Sequence, residues 1–383
     1  MPVQKISIQQ FLQFRDQYPV LDVRSPGEYA HAHIPGACSF PLFTDEERKV
    51  VGTLYKQEGK QKAVKAGLAF FGPKMVSMVE TVEQKLTEQG PAGQGAGPVI
   101  VHCWRGGMRS AGVAWLLDLY GFNVYTLTGG YKSFRRWCVQ QFDKKYPFSV
   151  LGGFTGSGKT GLLKELKADG RPIIDLEALA AHKGSVFGHL GEPSQPTQEM
   201  FENRLALALA AAADATGSIP PTIWLEDESQ RIGPVNIPIV LYRHIMTRPL
   251  YFLDIPFEER LTRIVKDYGE FEKDKLADGV IRLKKRLGGQ EAKIALAFLE
   301  TGDIVNCFRI LLKYYDKYYL KSLHQKENLL QLFHKVPCVT PDAAANARIL
   351  LKAAQSEKAG QAMEREPAGK SGQAGQTQQT GTL

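Results

Sequence analysis

The sequence predicts an α/β protein built on two parallel sheets, with a mainly helical C-terminal part and a disordered tail. Three observations lead there. Short apolar runs alternate with helical patterns, the order that packs a parallel sheet between helices. Two loops, at residues 103–109 and 153–160, each lie between a strand-like run and a helix-like run. A chain of 383 residues exceeds one ordinary domain, so two cores are expected. The expected units are 1–145 and 146–354, with 355–383 as the tail.

Composition suits a soluble globular protein, 43% hydrophobic and 23% charged. The net charge of +8 divides into +6 over residues 1–147 and +2 over 148–354. It permits an anionic partner without requiring one. The five cysteines (38, 103, 138, 307 and 338) have no paired spacing. That argues against a disulfide framework or zinc site and for a reducing compartment. Residues 1–10 lack signal-peptide features, and the longest aliphatic run, Leu205 to Ala213, is too short to span a bilayer. A cytoplasmic protein with no membrane partner is expected.

In the first unit, Ile8 to Gln17 is amphipathic and helical, with Phe11, Leu12 and Phe14 as core. Val20 to Arg24 is a short strand ending in charge, and a second strand falls near Ser39-Phe40. Thr44 to Gln89 is helical, opened by a capping box of Thr44 and Glu47. Gly90 to Pro98 is a Gly/Pro-rich loop. Val99 to Val101 is a strand that leads through His102 to Cys103. The helix Ala111–Tyr120, the strand Asn123–Leu127 and the helix Tyr131–Phe142 follow, and 144–147 reads as a boundary.

The second unit starts with the strand Phe148–Leu151. Residues 153–160 then satisfy G-x-x-x-x-G-K-[ST], followed by the helix Gly161–Ala168, the strand–loop–helix setting of a P-loop. Gly153, Gly156, Ser157 and Gly158 let backbone amides face phosphate oxygens. Lys159 reaches the terminal phosphate, and Thr160 can ligate magnesium. Pro172 to Asp175 is a strand, Gln198 to Asp214 a helix, and Thr222 to Leu225 a strand running into Glu226-Asp227-Glu228. A strand ending in acids downstream of a P-loop suits a metal-binding or acid/base carboxylate, so Glu226 and Asp227 are candidates. A solvated turn is the plainer alternative. Pro249 to Asp254 is one more strand, and a helix follows with Arg260 and Arg263 off its apolar stripe, where they could reach phosphate.

Residues 271–336 read as mostly helical. Arg282, Lys284, Lys285 and Arg286 form a basic turn, and Tyr314, Tyr315, Tyr318 and Tyr319 sit among lysines. That pattern suits looped RNA, whose bases stack on rings, so Arg282, Lys285 and Arg286 are candidate RNA contacts. Helical aromatics are more often core.

Cys103 sits where a strand feeds a turn, Trp104-Arg105-Gly106-Gly107-Met108-Arg109, and then a helix. Backbone amides, a helix N-terminus and two arginines all favour thiolate over thiol, so Cys103 is the expected nucleophile. What it attacks is left open by these residues. His102-Cys103, five residues, then Arg109-Ser110 satisfies H-C-x5-R-[ST], the phosphate-binding signature of tyrosine phosphatases. Sulfur carriers of the rhodanese type use a similar loop, usually one residue shorter.

The surroundings turn the reading. Leu21-Asp22-Val23-Arg24, Glu28-Tyr29 and His33-Ile34-Pro35-Gly36-Ala37 resemble the N-terminal signature of rhodanese domains, and Leu127-Thr128-Gly129-Gly130 their closing motif. Together with Thr44-Asp45-Glu46-Glu47-Arg48, the cysteine loop, Gly153 to Thr160 and Leu225 to Ser229, the chain resembles the bacterial tRNA 2-selenouridine synthases to about residue 340. That resemblance implies a rhodanese-like unit followed by a P-loop NTPase-like unit. It also implies conversion of wobble 2-thiouridine in tRNA to 2-selenouridine, by S-geranylation from geranyl diphosphate and then selenation from selenophosphate. Cys103 would be loaded with selenium, the loop from Trp104 to Arg109 would hold selenophosphate, and the P-loop would hold the diphosphate. No tightly bound cofactor is implied, and magnesium is possible at Thr160. The competing readings are an ATP-dependent sulfurtransferase working through a Cys103 persulfide and a rhodanese-fold phosphatase with a nucleotide-binding domain.

Overall fold

The computed structural model describes residues 3–89, 98–214 and 222–365. In the first unit the chain runs β1 (Gln4–Ile6), α1 (Ile8–Phe14), β2 (Val20–Asp22), α2 (Pro26–His31), β3 (Cys38–Ser39) and α3 (Asp45–Gln57). It continues through α4 (Lys60–Phe71), α5 (Met75–Gln89), β4 (Val99–His102), α6 (Met108–Tyr120), β5 (Val124–Leu127) and α7 (Gly130–Phe142). The strands form a parallel sheet in the order β1-β5-β4-β2-β3, so the strand that delivers Cys103 is central. β4 is buried along its whole length, as its β-branched run demands. The capping box stands as expected: the Thr44 hydroxyl accepts from Glu47 N at 3.2 Å, and Glu47 Oε2 accepts from Thr44 N at 2.9 Å.

The second unit begins with β6 (Phe148–Gly153), α8 (Lys159–Ala168), β7 (Ile173–Ile174), α9 (Leu176–Ala180), α10 (Gln198–Asp214) and β8 (Ile223–Glu226). A hairpin of β9 (Arg231–Ile232) and β10 (Val235–Asn236) follows, then α11 (Ile239–Met246), β11 (Leu250–Asp254) and α12 (Phe257–Tyr268). The helical part comprises α13 (Lys273–Leu287), α14 (Gly289–Glu300), α15 (Ile304–Leu323) and α16 (Leu329–Leu332). It returns through β12 (Phe333–Pro337) to α17 (Ala343–Arg365). This sheet is parallel in the order β12-β11-β6-β8-β7, with the strand before the P-loop again central. Both loops therefore emerge at the C-terminal edge of a parallel sheet, where such folds bind ligands.

Several elements differ from expectation. The first helix stops at Phe14 rather than Gln17, and the second strand lies at Cys38–Ser39. The edge strands β1 and β12 were not legible, the first being three residues long and the second set inside a helical region. The tail expected from Gln355 is corrected in part. α17 continues to Arg365, because its Ala, Glu, Gln and Lys residues favour helix. Residues 366–383 and most of the expected loop at 90–98 lie outside the described residues.

The cores are not separate. One apolar cluster runs from Ile6, Phe11 and Leu127 through Tyr131, Phe134 and Cys138 on α7 to Phe201, Leu205 and Leu209 on α10. α7 closes the first unit and lies against the second. No helix among the described residues is long and apolar enough to cross a membrane.

Candidate active site: a cysteine loop and a phosphate loop

Cys103 directly follows β4, with its side chain buried, 3% exposed. Its Sγ lies 3.2 Å from Ser110 Oγ and accepts from Gly107 N at 3.4 Å. Burial raises the thiol's pKa. The Ser110 hydroxyl and the amides of Ser110, Arg105 and Gly107 outweigh it, so the net shift is downward and the thiolate is favoured. The other cysteines with a resolved shift go the other way: burial pushes Cys138 and Cys307 up to about 12 and Cys338 up to about 11. The loop is kept in shape from outside. Tyr131 N and Lys132 N, at the start of α7, donate to Cys103 O and Trp104 O at 2.9 Å each. Gly130 has φ +55°, and a Cβ there would lie 2.3 Å from Cys103 O. Only glycine permits that approach.

Arg105 and Met108 are exposed, and Trp104 is half-buried against Tyr131, with ring centroids 5.5 Å apart. Arg109 is committed: its Nη1 donates to Glu28 Oε2 at 2.6 Å. Burial raises the Glu28 pKa, but the Arg109 hydrogen bond and charge, with Ser25 N and Arg48, bring it below the ordinary value. An incoming oxyanion competes with Glu28 for Arg109. The Asp22-Arg24 signature turns out to be scaffolding. Arg24 binds Asp22 through Nη2 at 2.6 Å and Ala32 O at 2.7 Å, and its guanidinium lies 3.9 Å from the Tyr131 ring centroid.

The P-loop keeps its glycines at φ +146° (Gly153), +84° (Gly156) and +81° (Gly158). Ser157 is buried, with its Oγ unpartnered. Lys159 Nζ donates to Gly153 O at 3.0 Å, and Thr160 Oγ1 donates to Glu177 Oε2 at 3.0 Å. Burial, then Asp175 and Glu177, raise the pKa of Glu226 well above the ordinary carboxyl value. Its Oε2 accepts from Leu176 N at 3.0 Å and its Oε1 has no partner. Asp227 accepts from Tyr319 at 2.7 Å and Lys326 at 2.5 Å. The two expected carboxylates thus face different ways, Glu226 into the start of α9 and Asp227 onto α15 and the residues after it.

Two acids not singled out by the sequence bear on the loop's cation. Glu177 and Glu228 both feel the charge of Lys159. Burial, then the Glu177 charge, pushes Glu228 up to about 8. Glu177 lies on a one-turn helix that no periodicity announces. Arg260 is spent on an acid and on the backbone of the P-loop itself. It is 3% exposed and pairs with Asp316 through Nη2 at 2.7 Å, while Nη1 holds Thr155 O at 3.1 Å. Arg263 donates to Pro341 O at 3.1 Å. Arg282, Lys285 and Arg286 are exposed on α13, whereas Tyr314 and Tyr315 pack against the helical core and Tyr319 joins the P-loop floor. Among the four tyrosines Tyr318 stays exposed, at 55%.

A buried cysteine in a hydrogen-bonded loop and a loop of P-loop sequence, each at the head of a central parallel strand, are the features of an α/β enzyme with a rhodanese-like unit and a P-loop unit. The comparisons agree with that class. Residues 7–136 match the rhodanese-like domain family, and residues 146–336 match the family described as the tRNA 2-selenouridine synthase AAA domain. The chain is 33% identical to the tRNA 2-selenouridine synthase of Bdellovibrio bacteriovorus, over 82% of this chain and 91% of that one. It is 31% identical to the protein of the same name from Shewanella piezotolerans, over 85% and 94%. A third, from Cupriavidus pinatubonensis, is 37% identical over 65% and 66%. The chain belongs to the tRNA 2-selenouridine synthase family.

Proposed function

We propose that this enzyme replaces the sulfur of wobble 2-thiouridine in tRNA with selenium, in two steps divided between the two loops. The observation that carries the division is the pairing of a hydrogen-bonded, acidified Cys103 on one sheet with a glycine cradle around Lys159 and Thr160 on the other.

In the first step the amides of Gly153, Gly156, Ser157 and Gly158 hold the diphosphate of geranyl diphosphate. Lys159 leaves Gly153 O for a phosphate oxygen. The thiouridine sulfur attacks the prenyl carbon, the carbon–oxygen bond breaks and diphosphate leaves, its charge met by Lys159. Among the described residues no group of three or more His, Cys, Asp or Glu is placed to cage a metal. The Thr160 hydroxyl beside Glu177 fits magnesium, which commonly takes one or two protein oxygens and completes its shell with phosphate and water. When bound, magnesium would neutralise diphosphate charge.

In the second step selenophosphate sits in the Cys103 loop, held by the amides, Arg105 and a released Arg109. Selenium there is already at the selenide level. Attack by the Cys103 thiolate at phosphorus breaks the phosphorus–selenium bond and frees hydrogen selenide, and water then takes the phosphoryl group from sulfur. A sulfur–selenium bond on Cys103 would need a two-electron oxidant in addition. Hydrogen selenide adds at C2 and expels the geranyl group as a thiol. Arg282, Lys285 and Arg286 would meet the RNA.

The test is incubation of purified protein with a thiolated anticodon stem-loop, geranyl diphosphate and selenophosphate, followed by mass analysis of the nucleoside. Lys159→Ala should block geranylation yet leave pre-geranylated RNA able to accept selenium. Cys103→Ala should accumulate the geranylated form. Failure of both variants in both steps would overturn the division of labour.

A further inference from the structure

At the end of the central sheet opposite the P-loop lies a pocket that neither step uses. It has a volume of about 370 Å³ and is lined by Lys145, Val240, Arg243, His244, Thr247 and Arg248. Three of these six carry positive charge, and none of the six is an acid. Lys145 comes just before β6 and Arg248 just before β11, so neighbouring parallel strands bring them together.

The plain explanation is that cations collect where α11 ends, against the negative end of its dipole. The contacts say otherwise for Arg248. Two of the last carbonyls of α11 accept from backbone: Thr247 N donates to His244 O and Arg248 N to Ile245 O. Arg248 Nη2 instead lies 3.2 Å from the ring nitrogen His244 Nδ1, and its Nε is buried without a partner. His244 is anchored by the Tyr146 backbone at 2.9 Å. A guanidinium set against an imidazole nitrogen, with a donor to spare and two further cations beside it, asks for an anion.

We propose that this pocket holds a backbone phosphate of the tRNA, an inference resting on the tRNA reading above. Distance favours RNA over a small anionic substrate. The thirteen residues of α7 separate the pocket from the Cys103 loop by about 20 Å. The six residues of β6 separate it from the P-loop by a similar roughly 20 Å. A small molecule in the pocket touches neither site, whereas an RNA arm with a phosphate at each nucleotide spans the gap.

The test is anisotropy of labelled full-length thiolated tRNA against wild type and Lys145→Ala/Arg243→Ala, both exposed side chains, across 50–250 mM salt. The variant should bind about tenfold more weakly, with the slope of log K against log salt shallower by about 1–2. Its melting temperature and geranyl diphosphate binding should be unchanged, and Arg243→Glu should weaken RNA binding further. Affinity and slope equal to wild type would overturn the proposal. So would an equal loss in the control pair Lys60→Ala/Lys65→Ala on α4, which would mark a general charge effect. Calorimetry with inorganic diphosphate, run in a Lys159→Ala background to suppress the P-loop's own binding, separates the sources: heat lost on adding the pocket substitutions while tRNA binding persists identifies a small-anion site and overturns the RNA assignment. Wild type failing to bind any tRNA sinks the tRNA reading itself.

Discussion

At the scale of single residues, hydrogen bonds rather than full charges set the chemistry of Cys103. Arg105 points to solvent and Arg109 is taken by Glu28, which leaves Ser110 and the loop amides to lower the thiol. Ser110→Ala should therefore shift the pH profile of iodoacetamide alkylation upward and slow alkylation at pH 7 by roughly tenfold. An unchanged profile would move the credit to the amides. Glu228 gives the opposite linkage. Its folded pKa, about 8, stands above the ordinary 4.5, so the folded chain keeps a proton that the unfolded chain releases. Its contribution favours folding below about pH 4.5 and is lost as pH rises toward 8. Glu228→Gln should narrow the difference in melting temperature between pH 5 and pH 8.5. The cysteine, the P-loop lysine and their glycines were legible because each belongs to a contiguous pattern. Arg260 and Glu177 were not, since their roles depend on partners 56 and 17 residues away.

At the scale of elements, the strands easiest to read were the buried ones. β4, β6, β8 and β11 are apolar runs buried over nearly their whole length, while β1 and β12 are edges with mixed exposure. The start of α7 is the element on which the cysteine loop rests. Gly130→Ala should push the Cys103 carbonyl away and abolish selenium incorporation, while geranylation of thiolated RNA, measured on the same preparation, persists. Loss of both reactions with retained folding would show that the loop also serves the first step.

At the scale of the whole molecule, two sheets were expected from the alternation of strands and helices, but not the way they are joined. Tyr131 donates to Glu199 at 2.7 Å, Arg135 binds Glu202 at 2.6 Å and Asn203 at 2.7 Å, and Asn203 Nδ2 reaches His33 O at 2.9 Å. These partners lie 67 to 170 residues apart in the chain, and nothing local marks them as partners. Asn203 is fully buried, so Asn203→Ala should cost about 1–3 kcal/mol in chemical denaturation. A loss below about 0.5 kcal/mol would mean that the joint is held by its apolar cluster alone.

Tyr131 has a double allegiance: its amide closes the cysteine loop, and its hydroxyl belongs to the network on α10. The two units are consequently not interchangeable cassettes. A chimera that takes its first 145 residues from one relative and the remainder from another inherits α7 and α10 from different parents. Matching those two helix faces, rather than the sequence at the junction, is then the condition for a working hybrid.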